Sequence, residues 1–467
     1  MTKIILKDIA DLAKIDVYTK NGGYEMLKKC VKEMTPDAVI DEVKKSNLRG
    51  RGGACFPTGL KWSFMPKGNE KPKYLVCNGD ESEPGSFKDR EIFEKNPHQF
   101  IEGALIACYA MGCKAAYVYI RGEYWKWINI MEEAVADTYK KGFAGQKLFG
   151  SDFSVDIYVH KGAGAYICGE ESSMLNSLEG KRAYPRVKPP FPAAVGVWSM
   201  PTTVNNIETL ANVPEIIRHG GEWFSKIGEP KHPGTLLYGV SGHVNKPGVY
   251  EIETGIPLKS LIEDYCGGVK NGKQIKMVIP GGSSMPPLTR EEALTVKMDA
   301  ESLKEIQSAI GTAGVIVMDE DTDLIAVLRR ITKFYYHESC GQCTPCREGC
   351  GWMLRVLDRL DKGEGRKEDL DLLINVAENI EGNTICALGD AAAWPVKWTI
   401  RKFRAEFEAK CHDDKYQLPV LNKVHSIRHT PAYDKIRIYN ENTVVEDLIG
   451  KVQENLNRED ETFSYKK

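Results

Sequence analysis

The feature that most constrains the fold is the alternation of short apolar runs with helical segments between residues 73 and 159. The apolar runs are bounded by turn residues and have the length of buried strands. Strands that alternate with helices form βαβ units with a parallel sheet, whose ligands bind at the carboxyl ends of the strands. The predicted elements are strand Lys73–Asn78, helix Pro97–Met111, strand Ala115–Ile120, helix Trp125–Lys141 and strand Ser154–Val159.

Three further segments can be assigned around this unit. A helix is predicted over residues 24–46, before the glycine-rich segment that begins at Gly50, and another over Ser172–Leu178. The stretch Pro185–Pro192 cannot form regular structure, because its prolines lack amide donors and fix φ.

A second unit of ββαβ order is predicted from Gly234 to about residue 320. Its strands are Thr235–Ser241, Val249–Ile252 and Met277–Ile279, with a helix over Leu258–Cys266. Helices follow from Asp323 to about Cys411. In the polar tail, a capping box at Thr443 predicts a helix over 443–457. The sequence therefore predicts three domains, over 1–233, 234–320 and 321–412, and a C-terminal tail over 413–467.

Composition excludes several classes of protein. The chain of 467 residues has a formal net charge of -2, which provides no global field for nucleic acid. It has no apolar run of the about 20 residues that a membrane-spanning helix needs, and Met1–Lys20 lacks the apolar core of a secretion signal. We therefore expect a cytoplasmic protein that reaches a membrane only through partners.

Five of the 13 cysteines carry the strongest chemical signal. The spacing Cys340-x2-Cys343-x2-Cys346 lets three thiolates bind one iron–sulfur cluster, and a 4Fe–4S cubane needs a fourth. Spacing alone leaves both Cys350 and the remote Cys386 as candidates. A zinc site and a redox dithiol are the alternatives, although zinc sites usually show two C-x2-C pairs or histidine partners.

Two of the three glycine-bearing loops could contact a nucleotide-like cofactor through their backbone. The first, Gly50–Cys55, resembles G-x-G-x-x-G but follows a helix, so the dinucleotide fingerprint fails its context test. Arg49, Arg51 and Lys61 add positive charge there, and a flexible basic loop is the alternative. Another loop, Gly162–Glu171, follows a strand and opens a helix, which is a natural anion site, although its two glutamates would repel a phosphate.

The acidic loop Asn78–Gly85 follows the first predicted strand. Its oxygens could accept hydrogen bonds from a ribityl chain or a ribose, and metal binding is the rival. Together with the cysteines, the loops indicate a nucleotide-like cofactor that feeds a cluster. A nicotinamide gives two electrons as hydride and a cluster accepts one at a time, so the pair must be split, which a flavin can do.

Four motifs, in this order, resemble the NADH-binding flavoprotein subunit of respiratory complex I. They are R-G-R-G-G-A-C-F-P-T-G-L-K-W, N-G-D-E-S-E-P-G, G-A-G-A-Y-I-C-G-E-E and E-S-C-G-Q-C-T-P-C-R-E-G. Diaphorase subunits of NAD(P)-linked hydrogenases and formate dehydrogenases share them. The resemblance covers about residues 20 to 412. It implies a multidomain α/β and α+β protein with a Rossmann-like FMN domain, a ubiquitin-like β-grasp domain and a helical bundle that carries a 4Fe–4S cluster.

The resemblance also implies which residues bind the cofactors. The FMN site would comprise Gly50, Gly52, Gly53, Lys61, Asn78, Asp80, Glu81 and a turn with Asn205 and Asn206. The cluster ligands would be Cys340, Cys343, Cys346 and Cys386.

The same resemblance implies a site for the nicotinamide nucleotide. Phe56 and Phe64 would stack near it, Glu83 would lie near the nicotinamide, and Lys188 and Phe191 would line the adenine side. Tyr166, Gly169, Glu170 and Glu171 complete the site. No residue is expected to act as a catalytic acid or base. Glu83 and Glu171 would position NADH and disfavour a 2′-phosphate.

Two residues depart from the family pattern. Cys55 stands where the family usually has glycine, and we expect tolerated packing there. Cys350 stands where the family commonly has no thiol, and we expect it to be inert on the flank of its helix, with ligand exchange with Cys386 as the alternative.

The expected function is electron input to an NADH:quinone oxidoreductase, with NADH oxidised on FMN and single electrons passed to a 4Fe–4S cluster. The expected partners are a small thioredoxin-like 2Fe–2S subunit and an iron–sulfur subunit, and the expected location is the cytoplasmic face of a membrane. The diaphorase subunit of a soluble hydrogenase or formate dehydrogenase is the alternative, and a β-grasp scaffold with structural zinc is a third class.

Overall fold

Four parallel strands form the sheet of the N-terminal part. They are β1 (Tyr74–Gly79), β2 (Ala115–Ile120), β3 (Asp156–Lys161) and β4 (Thr202–Asn206). The computed structural model describes residues 3–68 and 71–412, and the described residues up to Cys411 form one compact unit. The spatial order is β3-β2-β1-β4, so the order of the strands reverses between β1 and β4. Open parallel sheets bind ligands at such a reversal, outside the carboxyl ends of the strands.

Helices cover both faces of this sheet because alternate side chains of each strand point to opposite sides. Leu75 and Cys77 enter the larger core, whereas Val76 enters a smaller one. The helix Pro97–Met111 lies in the larger core and Glu171–Leu178 in the smaller. In chain order the helices are α1 (Ile15–Lys20), α2 (Glu25–Glu33), α3 (Pro36–Lys45), α4 (Thr58–Ser63), α5 (Asp89–Lys95), α6 (Pro97–Met111), α7 (Trp125–Lys140), α8 (Glu171–Leu178), α9 (Ile207–Ala211), α10 (Val213–His219) and α11 (Gly221–Phe224).

A mixed five-stranded sheet follows a short hairpin of β5 (Gly228–Glu229) and β6 (His232–Pro233). Its elements are β7 (Thr235–Gly242), β8 (Gly248–Glu253), α12 (Leu258–Ser260), β9 (Ile275–Ile279), β10 (Leu288–Thr289), α13 (Arg290–Thr295), α14 (Ala300–Glu305) and β11 (Gly314–Asp319). The order is β10-β9-β11-β7-β8, with β11 parallel to β7 and the hairpin β7–β8 antiparallel. This arrangement is the expected β-grasp domain.

The C-terminal part of the described chain is a helical bundle. Its helices are α15 (Leu324–Glu338), α16 (Thr344–Asp361), α17 (Lys367–Ile380), α18 (Leu388–Lys402) and α19 (Arg404–Glu408). Helix α15 packs against α16 and α18, and α17 packs against the same two helices. Within the described ranges, no helix is long and apolar enough to cross a membrane.

The structure confirms most of the predicted elements and corrects three. The helix predicted over 24–46 is two helices, because Thr35 caps a new start with Pro36 at its first position. The segment expected as a turn at Asn205 is the end of strand β4. Strand β11 was not predicted, although its apolar run completes the second sheet. The helix predicted over 443–457 lies outside the described residues.

Candidate functional site

The carboxyl ends of β1 and β4 meet where the strand order reverses. Asn78 of β1 is in register with Asn206 of β4. The Asn78 amide donates to the carbonyl of Gly169, 2.9 Å away, which fixes the loop after β3 beside the loop after β1. The neighbouring Asn205 accepts a hydrogen bond from the Trp62 indole at 2.9 Å, so helix α4 and the loop before it lie at the same edge.

The glycine-rich loop before α4 is closed by its own backbone and lies against β4. The amide of Gly50 donates to the carbonyl of Phe56 at 2.9 Å. Gly53 has a φ of 116°, a conformation that side chains disfavour, and a Cβ on Gly52 would lie 3.0 Å from the Cβ of Asn206. Small residues are therefore required where the loop turns and where it crosses the end of β4.

Arg51 of this loop is a structural residue. Its buried guanidinium donates to the carbonyls of Pro233 at 2.6 Å and Thr235 at 3.2 Å. Its backbone amide donates to the Thr209 hydroxyl. Arg51 thus attaches the glycine-rich loop to the start of the β-grasp domain.

Three predicted aromatic residues lie at the surface around this edge. Phe56, Phe64 and Phe191 are 44%, 55% and 61% exposed, and the rings of Phe56 and Phe64 are 6.1 Å apart between centroids. Phe56 and Phe64 are neighbours at the surface, and contiguous exposed apolar groups can mark a ligand-binding site.

Asp80, directly after β1, has an oxygen that no group in the described chain satisfies. Its Oδ2 accepts from the Ser82 hydroxyl at 3.1 Å, whereas its buried Oδ1 has no partner. Burial raises the pKa of Asp80 to about 7. The absence of a side chain at Gly169 leaves the space beside this carboxylate, since a Cβ there would lie 3.3 Å from Oδ2.

Glu81, the next residue, has its carboxylate turned to the start of helix α5. Oε1 accepts from the amides of Lys88 at 2.8 Å and Asp89 at 2.9 Å, and Oε2 accepts from the Tyr124 hydroxyl at 3.2 Å. Burial and the nearby Asp89 charge raise the pKa of Glu81 to about 7. Its side chain holds the acidic loop in shape, and its predicted FMN contact stays a prediction.

Glu83 joins the acidic loop to the other two domains. Its carboxylate accepts from the Tyr166 hydroxyl at 2.7 Å, from the Ser284 amide at 2.7 Å and from the Tyr335 hydroxyl at 3.5 Å. Ser284 belongs to the β-grasp domain and Tyr335 to helix α15. Burial raises the pKa of Glu83 despite these donors.

The loop that opens helix α8 presents two glutamates with separate roles. Glu170 caps α8 by accepting from the amides of Ser172 at 2.9 Å and Ser173 at 2.8 Å. Glu171 accepts from Lys188 at 2.6 Å and from Lys61 at 3.2 Å. Burial raises the pKa of Glu171, but the charges and hydrogen bonds of the two lysines outweigh it, and the pKa falls below its ordinary value.

Helix α4, the start of α8 and the proline-rich segment therefore meet at one ionised carboxylate. Lys61 and Lys188 come from segments that are far apart in sequence, and both bind Glu171. The structure brings these three predicted residues together.

A buried ionic cluster beneath the site was not predicted from the sequence. The ammonium of Lys88 lies 2.8 Å from Asp89 and 2.7 Å from Glu208, and all three side chains are almost fully buried. Asn206 donates to Asp89 at 2.7 Å, which connects the cluster to the end of β4. Glu208 lies in the otherwise largely apolar helix α9, and that signal could have identified it.

The cysteines of the predicted cluster lie where helices of the bundle begin. Cys343 is the residue before α16, and Cys346 lies on its first turn. Cys386 lies just before α18. Burial is the largest of the causes that raise the pKa of the Cys386 thiol to about 12. The charges of Glu170, Cys340 and Cys346 also raise it.

Cys386 packs against the same hydrophobic core as Cys340, Cys343 and Tyr166. In the described part of the chain, no three side chains of His, Cys, Asp or Glu are drawn together tightly enough for a single metal ion.

Family comparisons agree with this geometry. Residues 43–215 match the Nuo51 FMN-binding domain, 236–327 match the SLBB domain, and 326–410 match the NADH-ubiquinone oxidoreductase-F iron–sulfur binding region. The F subunit of NADH-quinone oxidoreductase from Rickettsia bellii (strain OSU 85-389) is 55% identical over 373 residues, which cover 80% of this chain and 89% of the relative.

The chain belongs to the family of NADH-quinone oxidoreductase F subunits. The F subunit numbered 2 of Rhizobium meliloti (strain 1021) is 52% identical over 402 residues, 86% of this chain and 95% of the relative. A solved structure of NAD+-reducing [NiFe]-hydrogenase in the H2-reduced state has a TM-score of 0.74 and 32% identity, covering 85% of this chain. The match spans 65% of the hydrogenase chain, which is therefore the longer of the two.

The residues present fit the FMN of this family. The unpartnered Oδ1 of Asp80 provides an acceptor for a hydroxyl group. The missing side chain of Gly169 leaves space beside the Asp80 carboxylate for such a group. FMN and NADH are cofactors of the chain.

The thiols likewise fit the family's 4Fe–4S cluster. Three of them come from the loop and first turn between α15 and α16, and Cys386 approaches from the loop before α18. Thiolates are the ligands that such clusters use, and four are needed. The structure also places Cys350 beside Cys346, with their sulfurs 4.0 Å apart.

Cys55, which replaces the family's usual glycine, is strained but packed. Its φ is 52°, in the left-handed region that favours glycine. The side chain packs against the β-grasp core. The expectation that a side chain is tolerated at this position stays a prediction.

Proposed function

We propose that this chain is the electron-input subunit of an NADH:quinone oxidoreductase, in which NADH is oxidised on FMN and single electrons pass to a 4Fe–4S cluster and then to partner subunits. FMN supplies the conversion between hydride and single electrons when it is bound. The protein's own residues bind and orient the cofactors.

The observation that carries this proposal is the position of Tyr166. Its hydroxyl donates to Glu83 of the acidic loop at 2.7 Å, and its amide donates to Glu338 of helix α15 at 3.1 Å. Its ring packs edge-on against Phe334 at 5.1 Å. One residue therefore contacts the loop proposed to bind the flavin and the helix that leads into the cysteine loop, so the two redox sites are neighbours.

The proposed roles of the site residues follow from their contacts. Asn78, Asp80 and the glycine-rich loop hold FMN, with Asn205 and Asn206 at the end of β4. Phe56, Phe64 and Phe191 pack against the nicotinamide nucleotide. Cys340, Cys343, Cys346 and Cys386 are the proposed cluster ligands.

Glu83 and Glu171 are proposed to position NADH and to disfavour NADPH. A 2′-phosphate would add about two negative charges beside these carboxyl groups, which like-charge repulsion opposes. The lowered pKa keeps Glu171 ionised, and Lys61 and Lys188 hold its carboxylate in place.

The partners proposed are a small thioredoxin-like 2Fe–2S subunit and an iron–sulfur subunit, within a multisubunit enzyme of the kind that the relatives' name describes. We propose that the chain lies at the cytoplasmic face of a membrane and is held there by these partners. A diaphorase subunit of a soluble hydrogenase is the second candidate, because the hydrogenase chain shares the fold over 85% of this chain.

Cofactor and kinetic measurements on the purified chain test the proposal. About one FMN and about four irons per chain are expected, whereas zinc without flavin would overturn it.

The variant Glu171→Gln should reduce the preference for NADH over NADPH, measured as kcat/KM with ferricyanide as acceptor. The matched control is Glu179→Gln, a glutamate at the end of α8 that pairs with Arg186 away from the two lysines. An unchanged preference in E171Q would contradict the role of that charge.

A further inference from the structure

Cys350 is a thiol beside the cysteine cluster that the proposed ligand set does not use. It lies on the second turn of α16, four residues after Cys346, and is 0% exposed. The two sulfurs are 4.0 Å apart. On its other side, Cys346 lies 3.1 Å from the hydroxyl of Ser339.

Helix geometry directs the Cys350 side chain toward Cys346. Side chains on a helix point back toward its N-terminus and over the residues three and four positions earlier. For Cys350 that position is Cys346, and the N-terminus of α16 is where the cysteine loop arrives. Residues at i and i+4 have Cβ atoms only about 5–6 Å apart, so two thiols spaced this way can reach one point by side-chain rotation.

We propose that Cys350 is a reserve ligand, which can take the iron that Cys346 holds. The proposal rests on the assignment of a 4Fe–4S cluster to these cysteines. In the exchange, the bond between iron and the Cys346 sulfur breaks and a bond between the same iron and the Cys350 sulfur forms. The proton of the Cys350 thiol passes to the Cys346 thiolate across their contact. One thiolate replaces another, so no oxidant or reductant is consumed.

Removal of Cys346 tests the proposal through cluster content. The variant Cys346→Ala should keep about four irons per chain, with an altered electron paramagnetic resonance (EPR) spectrum of the reduced cluster. The double variant C346A/C350A should lose the cluster. The control Cys340→Ala removes a proposed ligand that has no such contact with Cys350, and it should retain less iron than C346A.

Three results would overturn the proposal. They are an iron content of C346A as low as that of C346A/C350A, an unchanged cluster in the double variant, and a C346A protein that fails to fold while C340A folds. FMN content, measured in the same samples, reports whether the N-terminal domain is intact. A wild-type chain without iron would instead refute the cluster assignment itself.

A second measurement leaves all four proposed ligands in place. Iron extraction by a chelator should be several-fold faster from Cys350→Ala than from the wild type, because a dissociated Cys346 is no longer replaced. Cys411→Ala removes another free thiol of the same bundle, near its end, and should match the wild type. Equal rates for all three proteins would contradict a reserve role.

Discussion

At the scale of single residues, the candidate site depends on one carboxylate oxygen of Asp80 that has no protein partner among the described residues. Asp80 keeps one buried oxygen free, and its pKa is raised to about 7 by burial. Buried polar atoms are nearly always paired with protein, ligand or water, so this oxygen of Asp80 is available to a bound group. Neighbouring Glu81 is also a carboxylate of the acidic loop. Its Oε1, however, accepts hydrogen bonds from the amides of Lys88 and Asp89 at the start of helix α5.

The raised pKa of Asp80 predicts a pH dependence of flavin binding. Below pH 7 the carboxyl is protonated, and above it the ionised form accepts hydrogen bonds from ribityl hydroxyl groups. The affinity of the apoprotein for riboflavin should therefore rise roughly 3–10-fold from about pH 6 to about pH 8, since one hydrogen bond to a charged group contributes about 1 kcal/mol or more. Riboflavin is the probe because it lacks the phosphate, which titrates near pH 6.

Asp80→Asn is the control for this dependence. Its amide is nearly the same size and does not titrate, so the affinity measured by fluorescence quenching should be flat across the same range. A pH slope that persists in D80N would show that another group is responsible.

The strained backbone at Cys55 predicts how substitutions there rank. Valine is branched at Cβ and tolerates a φ near 52° poorly. Cys55→Val should lower the free energy of unfolding by about 1–2 kcal/mol more than Cys55→Ala does, measured by urea denaturation. Equal losses in the two variants would mean that packing against the β-grasp core, rather than backbone conformation, limits this position.

At the scale of elements, helix starts position most of the site. Asn206 caps α9, Glu170 caps α8 and Cys343 precedes α16. The sequence predicts α8 from its strand–loop–helix context. It does not show that Glu170 is the cap and that Glu171 binds Lys61 and Lys188, because that depends on where the first turn begins.

The capped start of α15 predicts an effect on the stability of the protein. Asp323 accepts from the amides of Ile325 at 3.0 Å and Ala326 at 3.2 Å. Asp323→Ala should lower the free energy of unfolding of the holoprotein by about 1 kcal/mol. Asp323→Asn keeps a capping acceptor while weakening the ion pair with Lys410, so it should lose less. A loss in D323N equal to that in D323A would assign the effect to the ion pair.

At the scale of the whole molecule, buried polar contacts connect the domains. Arg51 links the glycine-rich loop to the β-grasp start, and Glu251 of strand β8 accepts from the amides of Ile4, Ile5 and Leu6. The sequence predicts the order of the three domains from periodicity. It cannot predict these contacts, because the partners are far apart in the chain and only the packed domains bring them together.

The buried Lys88 cluster predicts the largest single effect. Lys88→Met leaves Asp89 and Glu208 buried without their cation, and we expect a loss of about 3–5 kcal/mol in the free energy of unfolding. FMN content should fall as well, since Asp89 holds Asn206. Lys95→Met, at the exposed end of the same helix, breaks a surface pair with Glu91 and should cost under about 1 kcal/mol. Similar losses in K88M and K95M would contradict the role given to burial.

The central claim is that electrons from NADH enter through the flavin and leave through the cluster that Cys386 helps to bind. The most direct test is anaerobic addition of NADH to the purified holoprotein, with flavin absorbance and the EPR signal of the cluster followed together. We expect NADH to bleach the flavin and to produce the signal of a reduced 4Fe–4S cluster in the wild type, and Cys386→Ala to bleach without the wild-type signal. A flavin that NADH does not reduce, or a cluster signal unaltered in C386A, would contradict the account.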